Sequence, residues 1–251
     1  MRALMRVVVG FRGPRRSILG LVMAGEVEEA GKRAARFHVG DRVCAFTGLR
    51  FGGYAQYGSV SEAGILARAP SNLTDEETAA IPYGGLLALH FLRKGGASAG
   101  RSVLVYGASG AIGTAALQLA KHLGAEVTAV CGPTNIDLVK SLGADNVLDY
   151  TNDAVPPGRY ALVFDAVGRR KTSPLKTACQ HALAPGGRFL SVDNGRPRFG
   201  REDLALLTDL AEAGAIKPVI DRSYPLDQVA DAHRYVEEGH KRGNVVITVA
   251  H

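Results

Sequence analysis

The stretch Val103-Leu104-Val105-Tyr106-Gly107-Ala108-Ser109-Gly110-Ala111-Ile112-Gly113 constrains this chain more than any other. Four β-forming residues run into three spaced glycines. Ile112, Ala115, Ala116, Leu119 and Leu123 then follow at helical spacing through residues 111–123. A glycine where a strand turns into a helix permits backbone angles that a side chain would block. A second glycine lets a pyrophosphate approach the backbone, and a third lets the helix lie close on the sheet. The helix N-terminus then offers free N–H groups and the positive end of its dipole to phosphates. Such a turn carries weight only after a strand, before a helix and inside a β–α repeat. That context is present. Strands are predicted at 127–130, 146–148, 161–164 and 188–192, with a helix at 136–142, which is the rhythm of a parallel sheet.

The flanks differ. Residues 18–20, 25–31, 39–45 and 51–57 alternate β-formers with glycine-bearing turns. Ser71, Asn72 and Thr74 offer caps for a helix through Glu76 and Glu77, and Pro82 begins another segment. The tail reads as a strand near 217–220, a helix over 226–238 and a last strand at 244–249. The expected fold class is therefore α/β. A doubly wound dinucleotide-binding domain at 89–214 stands between a β-rich region at 1–88 and a C-terminal return at 215–251.

The type of dinucleotide turns on the end of the second strand. An NAD site places an Asp or Glu about 20 residues after the glycines, on the ribose hydroxyls. Here Cys131-Gly132-Pro133-Thr134-Asn135 holds no acid before Asp137. Nothing there repels a 2′-phosphate, and Thr134 or Asn135 can donate to one, although no Lys or Arg stands by to hold it. NADP is favoured over NAD.

Composition excludes several function classes. A chain of 251 residues with 46% hydrophobic and 22% charged residues supports a sizeable core and is not disordered. No apolar run approaches the roughly 20 residues of a membrane span. Cys44, Cys131 and Cys179 are too scattered for a disulfide framework or a zinc knuckle, so a reducing, cytoplasmic setting is expected. The net charge of +6 is local: Arg2, Arg6, Arg12, Arg15 and Arg16 all precede the first acid, Glu26. An organellar presequence, a phosphate-contacting arm or a plain basic segment would each account for it. A nucleic-acid-binding face or a membrane partner is not expected.

The segment VLVYGASGAIGTAALQLAKHLGAEVTAV, followed by SLGADNVLDY, resembles the medium-chain dehydrogenase/reductase superfamily. It is most similar to the zinc-free branch of quinone oxidoreductases and zeta-crystallin-like reductases. FHVGDRVCAF, FGGYAQY, ALVFDAVG and GNVVITV carry the resemblance in the same order from Ile18 to the C-terminus. The resemblance implies a GroES-like β domain built from both ends of the chain, a Rossmann domain between them, and an active site in the cleft where they meet. It implies a cofactor bordered by Gly107, Ser109, Gly110, Ala111, Ile112 and Gly113, by Gly132, Thr134 and Asn135, by Tyr150, and by Ala166, Val167 and Gly168 with Ser191 and Val192.

Four departures qualify it. Zinc-dependent members carry Gly-His-Glu near Gly20 and a Cys near Pro82; here Gly20-Leu21-Val22 and Pro82-Tyr83-Gly84 offer no ligands, so no catalytic zinc is expected. Leu87 stands where relatives commonly place a Thr whose hydroxyl meets the nicotinamide end. Residues 193–200 are short where many relatives carry a strand used in dimerisation, so a homodimer is not assured. Relatives also begin with several strands before the segment matching Ile18, which implies a late-assigned start or a truncated β domain with part of the cleft wall missing.

The resemblance implies an NADPH-dependent reductase of quinones, enones or related electrophilic small molecules. Tyr54, following two glycines, is the candidate donor to the oxygen on which charge develops, set against a merely half-buried strand residue. The alternative is a non-catalytic NADPH-binding protein that senses redox state or mediates an interaction. A short-chain dehydrogenase is rejected, because none of the eight tyrosines has a Lys four places on.

Overall fold

The computed structural model describes residues 18–168, 173–239 and 241–249. The arginine-rich segment through Arg16, with the expectations attached to it, lies outside the described residues.

Three antiparallel strands open the fold: β1 (Val22–Glu26), β2 (Arg42–Phe46) and β3 (Ile65–Arg68), in the order β1-β2-β3. Side chains alternate across this small sheet. Ala45 and Leu66 pack with Phe37 on one face, whereas Cys44 and Ala67 join the main core on the other. The segment 51–57, whose pattern predicts more of the same sheet, is irregular instead. Phe51 and Gly52 both have positive φ (58° and 105°), which breaks an extended run. The glycine pair instead lets the chain fold back on 19–20, where the Tyr54 N–H donates to the Leu19 carbonyl at 2.9 Å.

Two helices lead out of the β region, α1 (Asp75–Ala79) and α2 (Pro82–Gly95). Of the caps the sequence offers, Thr74 is the one used, in a reciprocal box with Glu77 at the start of α1. The helix α2 has Pro at its first position and ends on Gly96 in the left-handed region. It runs through residue 88, and Leu86, Leu89, Phe91 and Leu92 belong to the same buried cluster as the large sheet.

That sheet is made of β4 (Ser102–Tyr106), β5 (Glu126–Cys131), β6 (Asn146–Asp149), β7 (Tyr160–Asp165) and β8 (Leu183–Ser191), all parallel, in the order β6-β5-β4-β7-β8. The helices α3 (Ala111–His122), α4 (Ile136–Ser141), α5 (Pro174–His181) and α6 (Arg201–Glu212) cover it. Period-two alternation sends Val103, Val105, Val127 and Leu162 into the main core with α2, α3 and α6. Leu104, Tyr106, Val130 and Val163 point the other way, against Leu175 and Cys179 of α5. Both faces are thus covered, which is why the strands read as near-continuous apolar runs.

The tail holds β9 (Ile220–Pro225), α7 (Val229–Glu238) and β10 (Asn244–Thr248), with β9 and β10 paired in parallel. The strand expected near 217–220 begins only at Ile220. The buried amide of Gln118 on α3 accepts from the Lys217 N–H at 2.8 Å and donates to its carbonyl at 3.0 Å, so Lys217 has no backbone group left for a ladder. Pro218 has no N–H to offer. Among the described residues no helix is long and apolar enough to cross a membrane.

Candidate active site

The glycine turn lies at the C-terminal end of β4, beside the loop that leaves β7. These neighbouring strands continue in opposite directions across the sheet, so the turn sits at the topological switch point where open α/β sheets bind ligands. Each glycine has its own physical task. Gly107 has φ +79°, and a Cβ there would stand 2.3 Å from Cγ2 of Val167. At Gly113 a Cβ would meet the Gly107 carbonyl oxygen at 2.1 Å, so only glycine lets α3 start this close to the turn. Gly84 on α2 is packed as tightly, with 2.4 Å from a Cβ to the Ala111 carbonyl oxygen.

Gly110 is different. The nearest atom to a Cβ placed there is the Gly107 carbonyl oxygen, at an unstrained 3.6 Å. Gly110 is the N-cap of α3 and supplies no side-chain cap, so the first turn of that 12-residue helix opens with backbone N–H groups that no capping side chain covers. From the tail, the Gly243 N–H donates to the Ser109 carbonyl at 2.8 Å, pinning β10 to the turn.

The other expected cofactor residues stand on neighbouring strand ends along the same edge of the sheet. Gly132 follows β5, and the Tyr150 ring, which follows β6, would touch a Cβ at Gly132 at 3.3 Å. Tyr150 itself is 44% exposed. Thr134 is exposed, while Oδ1 of Asn135 is buried without a hydrogen-bond partner. Ala166, Val167 and Gly168 follow β7, and Ser191 and Val192 close β8, with the Val192 N–H donating to the Asp165 carbonyl at 3.0 Å.

Two residues without a place in the sequence expectations hold these last loops. Asp165 pairs with Lys176 of α5 at 2.8 Å, with side chains only 3% and 11% exposed. The same carboxylate accepts from the Val167 and Gly168 N–H groups, both at 3.1 Å, and from the Ser191 hydroxyl at 3.0 Å. Lys176 also donates to the Gly168 carbonyl. The hydroxyl of Ser191 is therefore turned into this network. An acid ending the buried run Ala161-Leu162-Val163-Phe164 is the one signal that could have found it.

Beside Ala111 opens a cleft of about 1950 Å³, which Leu21, Tyr54, Tyr83, His233 and Lys241 also line. The Tyr54 hydroxyl lies 3.4 Å from Nε2 of His233, and the two rings meet edge to face at 5.9 Å. Burial raises the Tyr54 phenol above its ordinary pKa. Burial lowers Lys241, with Asp221 opposing that shift, and its ammonium donates to the Gly243 carbonyl. Neither His233 nor Lys241 is signalled by the sequence. Leu21 and Tyr83, which the resemblance sets at the metal positions of zinc-dependent members, both line this cleft. Among the described residues no group of three His, Cys, Asp or Glu side chains could hold a metal ion. Leu87, one turn after Tyr83, is partly buried against the main core.

Family models agree with this layout. An alcohol dehydrogenase GroES-like domain matches residues 4–71, and two zinc-binding dehydrogenase models match residues 111–204 and 195–247. The chain is 34% identical to a 2-methylene-furan-3-one reductase of Solanum lycopersicum and 32% identical to an NADPH-dependent alkenal/one oxidoreductase, chloroplastic, of Arabidopsis thaliana. Each match covers 93% of this chain but 64% of the relative, so the chain spans under two thirds of those two proteins. It is 31% identical to a chloroplast envelope quinone oxidoreductase homolog of Arabidopsis thaliana, over 90% of this chain and 78% of that one. Among solved structures, an NAD-dependent alcohol dehydrogenase superimposes with a TM-score of 0.82 at 28% identity, covering 94% of this chain and 84% of that chain. With its glycine turn at the switch point of a Rossmann sheet and a GroES-like domain before it, the chain belongs to the medium-chain dehydrogenase/reductase superfamily.

Proposed function

We propose that this protein is a zinc-independent, NADPH-dependent oxidoreductase that reduces enones, enals or quinones. The observation that carries the reading is the open cradle at Gly110, set at the switch point and bordering the cleft through Ala111. The residues present fit a dinucleotide. A Cβ at Gly110 would enter the space in front of the helix N-terminus, where a pyrophosphate would be held by backbone N–H groups and the dipole of α3. The unpartnered, buried Oδ1 of Asn135 fits a hydroxyl donor at the ribose end. No carboxylate stands between Cys131 and Ile136 to repel a 2′-phosphate, which supports NADPH over NADH.

A bound reduced nicotinamide supplies a hydride for an electron-poor carbon. The chain's own task is then to orient the partners, exclude water and satisfy the negative charge left on the substrate oxygen. With Leu21 and Tyr83 at the metal positions, that charge falls to hydrogen-bond donors in the cleft, and Tyr54, whose hydroxyl meets His233 there, is the candidate. Three free, buried cysteines suit a reducing, cytoplasmic setting. NADPH oxidation followed at 340 nm with a panel of enones, enals and quinones tests the reading. Substrate-dependent oxidation with at least one of them is expected, and a fully inert panel would refute it.

A further inference from the structure

Tyr54 and His233 lie 179 positions apart in the sequence, yet the fold brings the Tyr54 hydroxyl and Nε2 of His233 to 3.4 Å on the wall of the cleft. They come from different parts of the architecture: Tyr54 from the irregular loop folded back on Leu19, His233 from the middle of α7. The two side chains also differ in access to water. Tyr54 is half-buried, whereas His233 is exposed.

We infer that Tyr54 and His233 form a two-membered proton relay, in which Tyr54 protonates the reduced substrate and His233 returns the proton to Tyr54 from solvent. The inference rests on the reductase reading above and adds the route by which the proton arrives. After reduction the substrate carries an extra electron pair, and its oxygen is one proton short. The Tyr54 O–H bond breaks, and a new O–H bond forms on the substrate oxygen. The phenolate takes a proton from Nε2 of His233, and the imidazole regains one from water. Each turnover thus consumes one solvent proton and leaves both side chains as they began.

The physical need for a second member follows from the setting of the first. Burial disfavours the charged phenolate, so a phenol that has given up its proton here has to recover it at once. Imidazole is the side chain that both accepts and donates a proton near neutral pH. Nearby Lys241 holds its ammonium on the Gly243 carbonyl and is committed to the backbone. His233 acts through Tyr54 and is therefore a positioning residue.

The test uses the full-length protein with NADPH and an enone that the wild type reduces. A positioned general acid is worth about 10²–10⁴-fold, and Tyr54→Phe should lose turnover within that range. His233→Ala should lose about tenfold in kcat with KM within about twofold, because water still reaches part of the phenol. Exogenous imidazole should restore turnover to His233→Ala, which a lost packing contact would not allow. The double variant should be no slower than Tyr54→Phe alone, since the members act in series. Should His233→Ala unfold, His233→Gln keeps the comparison. Wild-type turnover in both His233 variants, failure of imidazole rescue, or losses that multiply in the double variant would overturn the relay while leaving the reductase reading intact. A wild type inert toward all enones and quinones would overturn that reading and the relay together.

Discussion

At the scale of single residues, the glycines of the turn separate stability from binding. Gly113 is confined by backbone, with the Gly107 carbonyl oxygen 2.1 Å from where a Cβ would stand. Gly113→Ala must push α3 away from the turn, and overpacking of this kind typically costs about 1–3 kcal/mol. A chemical denaturation midpoint unchanged by Gly113→Ala would contradict the packing described. Leu87 gives a second case. The family resemblance implies a missing nicotinamide contact, whereas the structure packs the side chain against the main core. Full burial of a leucine contributes about 1.5–3 kcal/mol, so replacing this partly buried one should cost about 1–2 kcal/mol. In a protein of this size, Leu87→Thr should lower Tm by about 2–8 °C without raising turnover. Faster enone reduction with an unchanged Tm would return Leu87 to the site.

At the scale of elements, the loops after β7 and β8 depend on one buried ion pair. Asp165→Asn would leave the Lys176 ammonium nearly buried without its carboxylate. Breaking such a pair from one side typically costs about 3–5 kcal/mol, because the remaining charge stays desolvated. The same substitution should loosen 166–168, since the Val167 and Gly168 N–H groups exchange a charged carboxylate oxygen for a weaker amide acceptor, and amide exchange there should accelerate. Unchanged stability and exchange would show that the pair does not organise this edge. The sequence discloses the strands and helices of the sheet because each is a local pattern: four apolar residues before the glycines, or Ile112 to Leu119 at helical spacing. It does not disclose what holds them at a distance. Lys176 finds Asp165, Gln118 clamps Lys217 and shifts the start of β9, and His233 meets Tyr54 only once the tail has returned across the turn. The irregular course of 51–57 is hidden for a related reason. Its alternation is that of a strand, but Phe51 and Gly52 adopt positive φ and the chain turns back.

At the scale of the whole molecule, the cores on the two faces of the Rossmann sheet shield every thiol, Cys44 and Cys131 in the one shared with the β region and Cys179 in the one under α5. Burial pushes Cys44 up to about 12, Cys131 to about 11 and Cys179 to about 12. Thiolate is the reactive form, so at pH 8 Ellman's reagent should find fewer than one of the three thiols in the folded protein and all three in denaturant. Rapid labelling of the native protein would contradict the burial. The proposed zinc independence belongs to this scale too, because Leu21 and Tyr83, which the family resemblance sets at the metal positions, come from separate parts of the chain to line one cleft. Elemental analysis should find less than stoichiometric zinc, and chelators should leave turnover unchanged. One tightly bound zinc per chain would refute that part of the account.

The central claim is that a dinucleotide binds in front of Gly110. Gly110 has ordinary backbone angles and free space around a Cβ, so Gly110→Val should fold while its side chain fills the cradle. Calorimetric titration of NADPH into the wild type and this variant, with circular dichroism confirming the fold of both, measures the claim directly. One site per chain in the wild type and none in Gly110→Val is the predicted result; equal NADPH affinity in both folded proteins would contradict it.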